Sequence, residues 1–491
     1  MSRSSPLRVL AIGIDAAEPA LVKKLIEDGA LPSLERLLLS GTWGEVRSPA
    51  AIGSGTVWPT FMTGRGPLDH GIYSILPWDP RAMCLVRLTT NHLTPFWELL
   101  RQQGYSIGIL DVPFAPVIGI ERGIEISEWG AHDRMRGHLV VSPGSRHDWL
   151  TRTAGQHPLG RGRVDIAGPQ DWRALQKLAT ECCGGARLRG ALAMRLLTEF
   201  SLDVLVAVFT EVHHASHYLW HTLDPLMRVT PGTDVPSLIE VYREVDRQIG
   251  HLIDRAGAEA MVLIFSLHGM RATRGIPMIL DPLMRALALA SADNWRAQTW
   301  PQRAQWVVST IKHAAPNPLR RLYRKATSGT QRPPQPSVRL PYDWSGTAAF
   351  AIPTDQHGWI RLNLRGREAR GLIDRAQYDG VCTQLDLVLR GLVTEKGSKI
   401  VEDVVRVGSE TGSPPTDLPD LVVHWGDEAL ADPLRIAAPR ISARPTGTKF
   451  TGQHAPRGFF IHRPASGRSR HADDSVSADE LHELIQAGLG A

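Results

Sequence analysis

The chain has 491 residues, of which 43% are hydrophobic and 21% charged, with 45 glycines and 35 prolines. This is ordinary globular composition, enough for one large core or two to three small ones. No apolar run approaches the roughly 20 residues that cross a bilayer, which argues against an integral membrane protein. The net charge of +5 argues little for a nucleic-acid polymer, because six positive charges (Arg320, Arg321, Arg324, Lys325, Arg332, Arg339) fall in one acid-free stretch.

In chain order, Val9–Ile14 is a short apolar strand that ends at Asp15. It is too short for the apolar segment of a signal peptide and lacks a small-residue cleavage site. Residues 19–40 place Leu21, Leu25, Ile26, Leu34, Leu37 and Leu38 at helical spacing. Residues 95–103 read as a helix and 106–112 as a strand. The segment from Asp171 to Phe200 reads as largely helical and runs into a fully apolar strand over 203–209. Residues 235–256 form a long helical pattern, followed by the buried strand 260–266. Cys182 and Cys183 are adjacent, and four cysteines make no disulfide framework, so a reducing, cytoplasmic setting is expected. Residues 313–345 hold several prolines and read as a basic insertion: a solvated loop, or a lid or edge that attracts an anionic substrate or a membrane surface. Beyond it, 418–425 reads as one more strand, and 466–491 as a loop and an exposed terminal helix.

Wholly apolar strands separated by helices predict an α/β fold, a doubly wound, mostly parallel sheet with helices on both faces. The core is expected over 6–312 and 346–465. In such sheets chemistry sits at the carboxyl ends of strands. There the sequence places Asp15, then Thr210, Glu211, His213, His214 and His217, and then His268. His454 follows in a late glycine-containing loop. A carboxylate with several imidazoles suits a divalent ion, zinc in particular, and His213 and His217 at i, i+4 share a helical face. Histidines at this spacing also serve as packing, as His221 does equally well beside Trp220 and Leu223. The second feature is Gly53-Ser54-Gly55-Thr56-Val57-Trp58, a hydroxyl between glycines at a helix start, where free N–H groups can hold an oxyanion or where Ser54 is simply a cap.

The order of GIDAAEP, LPSLERLLLSG, SGTVWPTFMTG, DHGIYS, FTEVHHASHYLWHTLDP, FSLHGM, LPDLVVHW and TGQHAPRG resembles the alkaline phosphatase superfamily, and within it the type I phosphodiesterase/nucleotide pyrophosphatase group. The resemblance implies a two-metal phosphate-ester hydrolase, most simply a phosphodiesterase, with two divalent ions, zinc in both or manganese in the second. Counting back ten residues from Gly64 makes Ser54 the implied nucleophile, with Thr56 and then Thr60 as fallbacks. Asp15 and His268 fall at ligand positions of one metal, which Ser54 also contacts; His213, His217 and His454 fall at those of the other. Gly55, Trp58 and Trp220 are the expected substrate-contacting residues.

This chain departs from the family pattern at three places. His213 and Leu267 stand where the family has Asp, and Ile75 stands where nucleotide pyrophosphatases place an Asn. Glu211 is the expected compensating ligand beside Asp15 and His268. Ser54 lacks the downstream Pro and Arg of sulfatases. The implied mechanism is attack by Ser54 on phosphorus and release of the phospho-enzyme by water. Competing classes are a phosphomonoesterase, a sulfatase-like hydrolase, a phosphoryl transferase and a non-catalytic binding relative with a degraded metal site. The expected partner is a small-molecule, lipid-linked or glycan-linked phosphate ester. His70 reads as a turn residue, Asp246 as a ligand-orienting or salt-bridged residue, Asp420 as a strand-end residue, His357 as a weaker candidate to approach the site, and Arg361, Arg365, Arg367 and Arg370 as mostly surface.

Overall fold

The computed structural model describes residues 6–490 except 132–134, 137, 162–165, 167, 224–237, 274–276, 293–337, 354–356, 410–411, 431–433, 444–449 and 467–474. The basic residues 320, 321, 324, 325 and 332 of the insertion lie outside the described residues.

Among the described residues, nine strands form one central sheet. At its centre Val9–Ile14 lies parallel to and between Val204–Phe209 and Met261–Ser266. All three strands are buried along their whole length, as strands covered on both faces must be. Ile107–Leu110 and Gly123–Ser127 continue the parallel order beyond Val204–Phe209. Val140–Ser142 and Arg457–Arg463 pair antiparallel with their neighbours. The sheet is therefore mostly parallel, as the apolar runs predict.

The two faces of each strand feed two different cores. Leu10, Ile12, Leu205, Phe209, Val262 and Ile264 pack under the helices Pro19–Glu27, Pro32–Ser40, Trp172–Glu199 and Leu238–Ala256. Val9, Ala11, Val206, Val208, Leu263 and Phe265 pack on the other face against Val57–Thr63, Phe96–Gln102 and Leu481–Leu489. The expected helical stretch 19–40 is two helices. Gly29 with φ of 69° and Pro32 at the second helix start break the run between them.

Two expectations about the later chain need correction. The terminal segment is not exposed: Ser475–Ser477 joins the sheet beside Thr42–Arg47, and Leu481, Ile485 and Leu489 are buried. Nor does residue 346 onward simply extend the main core. Ala349–Ile352, Gly358–Leu362, Leu421–Trp425 and Val401–Arg406 form a separate antiparallel sheet. It has its own apolar core, closed by Tyr378–Arg390 and Leu280–Ala286. The chain returns to the main sheet only with Arg457–Arg463.

The arginines read as surface follow from this second core. Arg361 is fully buried, donating to Glu368 at 2.7 Å and to the Thr416 carbonyl at 2.5 Å, and it also contacts the Leu418 carbonyl. Arg367 grips both Asp420 oxygens at 2.7 and 2.8 Å, and Tyr378 donates to the same carboxylate. Asp420 is thus the anionic hub of the small domain. Asp246 is likewise structural. Its oxygens accept from the backbone N–H groups of Ser33 and Leu34 at 3.0 and 2.9 Å, satisfying the open start of the helix Pro32–Ser40.

Candidate metal centre and nucleophile

Asp15 follows the central strand, and the flanking strands each contribute an imidazole-bearing segment at the same carboxyl edge. One is the helix Glu211–Leu219 after Val204–Phe209, and the other is His268 after Met261–Ser266. His454 arrives on Gly452–Ala455, which pairs antiparallel with Gly269–Ala272 so that Met270 faces His454. Four imidazoles and one carboxylate, from positions 15 to 454, meet in one buried cluster.

His213 is the hub. Its Nδ1 lies 2.6 Å from Asp15 Oδ2, while its Nε2 lies 3.0 Å from His217 Nε2 and 2.7 Å from His454 Nε2. His268 Nε2 lies 3.6 Å from Asp15 Oδ1, and Trp58 donates its indole N–H to that oxygen at 2.9 Å. Candidate ligand atoms of His213, His268 and His454 all lie within 4.8 Å of one another.

Partners of the far ring nitrogens fix the tautomers of the neutral rings. His213 gives its Nδ1–H to Asp15, and the Nδ1 atoms of His217 and His268 face the carbonyls of Gly452 and Gly269, which can only accept. In these tautomers the Nε2 atoms of His213 and His217 carry the lone pairs, and they lie 3.0 Å apart. Imidazole nitrogens converging beside a carboxylate are a donor set that fits a divalent metal. Burial would raise the Asp15 pKa, but His213 and His268 outweigh it and hold the carboxyl well below its ordinary value. Burial, with His213 beside it, pulls His217 well below the normal imidazole range, so it stays neutral and able to ligate.

Glu211 does not join this cluster, contrary to expectation. Glu211 and His213 are two apart on one helix and point to opposite sides, whereas His213 and His217 are four apart and share a face. Glu211 Oε1 instead accepts from Arg189 Nε and His157 Nε2, each at 2.9 Å. Arg189, fully buried, also donates to Asp111 Oδ2 at 2.6 Å. Burial opposes the Glu211 charge, but Arg189 and His157 outweigh it and keep the carboxyl below its ordinary pKa. Leu267 is 1% exposed and packs in the core. Sequence reasoning missed Arg189, Asp111 and His157, because nothing local separates Arg189 from the exposed Arg173, Arg187 and Arg195 of the same helix.

Ser54 opens a short 3₁₀ turn, Ser54–Thr56, that leads into the helix Val57–Thr63. The flanking glycines have a steric cause. A Cβ at Gly53 would lie 2.9 Å from both the Tyr73 carbonyl oxygen and the Trp359 ring, and one at Gly55 would lie 2.5 Å from that same oxygen. Ser54 is half-buried, and among the described residues its hydroxyl makes no hydrogen bond. The Thr56 hydroxyl is buried and donates to the Gly53 carbonyl at 2.7 Å, and Thr60 is paired with His70 Nε2 at 3.0 Å. Trp58 is 2% exposed, so it supports Asp15 from the core and is not an open wall of a leaving-group pocket. Trp220 is half-buried against Gly452. His221 stands apart from the metal cluster, with its Nδ1 3.2 Å from the Thr451 hydroxyl.

Phosphonoacetate hydrolase from Sinorhizobium meliloti, in complex with phosphonoacetate, superposes with a TM-score of 0.51 at 14% identity, covering 99% of this chain and 96% of that one. Its phosphonoformate complex gives 0.50 at 15% identity, with the same coverage. These two likenesses show a common fold. Murine ectonucleotide pyrophosphatase/phosphodiesterase 5 in complex with AMP overlaps with a TM-score of 0.47 at 12% identity, covering 99% of this chain and 95% of that one. No curated protein shows significant sequence similarity to the chain. The sequence pattern of the type I phosphodiesterase/nucleotide pyrophosphatase family matches residues 9–406. That span runs from the strand that presents Asp15 through the Ser54 turn, His213, His217 and His268, and the chain belongs to this family of phosphoryl hydrolases.

Proposed function

We propose that the protein is a divalent-metal-dependent phosphodiesterase that works through a phosphorylated Ser54. The carrying observation is the convergence of His213, His217, His268 and His454 with Asp15 beside the segment that bears Ser54. Bound metal, zinc in this reading, supplies the positive charge that makes a serine oxygen nucleophilic near neutral pH and offsets charge on the phosphoryl oxygens.

The residues divide the remaining work. His213, His217 and His454 offer their Nε2 atoms to one ion, and Asp15 and His268 face a second position. Asp15 is held in place by Trp58 and His213 and would help hold bound metal. Ser54 supplies the oxygen that bonds to phosphorus as the ester oxygen departs, and water then cleaves the phosphoserine. In this reading the N–H groups of Ser54 and Gly55 would face the attacked group, the Thr56 N–H being held by the Gly53 carbonyl at 3.1 Å. Thr56 and Thr60 are weaker nucleophiles in this reading because their hydroxyls are already engaged. Ile75 packs against the core at the position where nucleotide-specific relatives place an Asn, which supports a small, lipid-linked or glycan-linked ester over a nucleotide. Cys84, Cys182, Cys183 and Cys382 are free, in keeping with a reducing, cytoplasmic setting.

The test uses para-nitrophenyl diesters, monoesters, phosphonates and sulfates with zinc, manganese or magnesium. Ser54→Ala should lose diester turnover by about a thousandfold or more while keeping its bound zinc. Retained activity, or loss only in Thr56→Ala, refutes Ser54 as the nucleophile. Absence of stoichiometric zinc in the wild type would favour the binding-protein alternative.

A further inference from the structure

The small antiparallel sheet reaches the Ser54 segment through three side chains. Upstream of Ser54, the 3₁₀ turn Pro49–Ala51 ends in carbonyl groups that no continuing helix satisfies. His357 Nε2 lies 3.2 Å from the Ala50 oxygen, His424 Nε2 2.8 Å from the Ala51 oxygen, and Trp359 Nε1 2.7 Å from the Ile52 oxygen. A carbonyl only accepts, so each of these nitrogens is an N–H donor. The donors come from adjoining strands of the sheet, where Trp359 is paired with Val422, and the rings of His357 and His424 stack at 4.6 Å. On another side the same turn lies alongside Gly452–Ala455, the strand that carries His454.

We propose that His357, Trp359 and His424 are positioning residues for catalysis: three N–H groups of the small domain grip three consecutive carbonyls and hold the Ser54 hydroxyl in register with the imidazole cluster. The proposal rests on Ser54 as nucleophile. Asp15, His213, His217 and His268 follow strands of the large sheet, whereas three carbonyls just before Ser54 are gripped from the small one. The small domain thereby helps set where the Ser54 oxygen stands relative to the imidazoles. Burial, with His424 beside it, pulls His357 down to about 3, so this donor keeps its neutral form throughout the working pH range. A misplacement of about 1 Å costs on the order of a hundredfold in rate. Because the three residues act through Ser54, the loss should fall on kcat.

The experiment compares Trp359→Phe, His424→Phe, His424→Gln and Ser54→Ala in the full-length, zinc-loaded protein, with bis(para-nitrophenyl) phosphate as substrate. It reads kcat, KM, Tm and zinc per chain. Trp359→Phe and His424→Phe should each lower kcat about tenfold or more, with KM within about twofold of wild type and with Tm and zinc unchanged. His424→Gln, which keeps an N–H donor, should recover most of the loss. Wild-type kcat in the Phe variants overturns the proposal, as does a kcat loss that merely tracks falling Tm and zinc. If a Phe variant fails to fold, His357→Asn is read by the same criteria. An inactive Ser54→Ala beside an unimpaired Trp359→Phe removes only the clamp. An active Ser54→Ala removes the nucleophile assignment itself.

Discussion

Two buried polar clusters sit along the carboxyl edge of the same sheet, and they differ in how their charges are met. Around Arg189 the charges are met largely from within: a guanidinium lies between the carboxylates of Asp111 and Glu211, and His157 donates to Glu211 Oε1, while Glu211 Oε2 has no hydrogen bond among the described residues. Around His213 the groups are mostly imidazoles, with the Nε2 atoms of His217 and His454 at 3.0 and 2.7 Å from its own. The first arrangement is what structure requires of buried ions, since an unpaired charge there is strongly destabilising. The second is a donor set that suits a divalent cation. Glu211 and His213, two residues apart, belong to opposite regimes.

The sharpest way to break this comparison is to remove one imidazole. His454→Ala should lower diester turnover by about a thousandfold or more and sharply weaken zinc binding, while the fold persists. Zinc titration with circular dichroism checks both. If zinc affinity is unchanged, the cluster is not the metal site.

Next in size is Arg189→Met, which leaves Asp111 and Glu211 as unpaired buried carboxylates. It should destabilise the fold by about 3–5 kcal/mol, read as a fall in the urea midpoint, while the folded fraction still binds zinc. Loss of zinc from well-folded Arg189→Met would merge the two clusters into one functional unit.

The smallest effect concerns pH. Burial pulls His70 down to about 4, and its Nδ1 accepts from the Ile72 N–H. In the unfolded chain His70 protonates near 6.5, so unfolding takes up a proton in the window between those values. Its contribution is therefore complete above about pH 6.5 and is lost as pH falls toward 4, at about 1.4 kcal/mol per pH unit. His70→Gln should flatten the fall of stability over that window. An unchanged slope would show that His70 is not the residue titrating.

Most of the sheet was legible because VLAIGI, VLVAVF and MVLIFS are apolar at every position but Ser266, which leaves little choice but a doubly covered strand. His213 and His217 were legible together through helical spacing, and their link to His454 came only through the family resemblance. Glu211 was misjudged because adjacency in sequence was read as adjacency in space, which a helix contradicts for residues two apart. Trp58 as a donor to Asp15 and Asp246 as a helix-end partner depend on contacts between distant segments, and nothing local announces them. The small domain was hidden for a different reason. Its strands follow one another between Ala349 and Trp425, and Leu421–Trp425, apolar except at His424, reads like one more strand of the main sheet.

The antiparallel strand Arg457–Arg463 lies between Thr42–Arg47 and Met261–Ser266, pairing with both. During synthesis, the segment at 42–47 therefore leaves the ribosome with its sheet partner still hundreds of residues from being translated. Closing so long a loop is slow, and until then its edge is open to foreign strands. Truncated or prematurely terminated chains should thus be insoluble even when every residue of the metal cluster before that point is present.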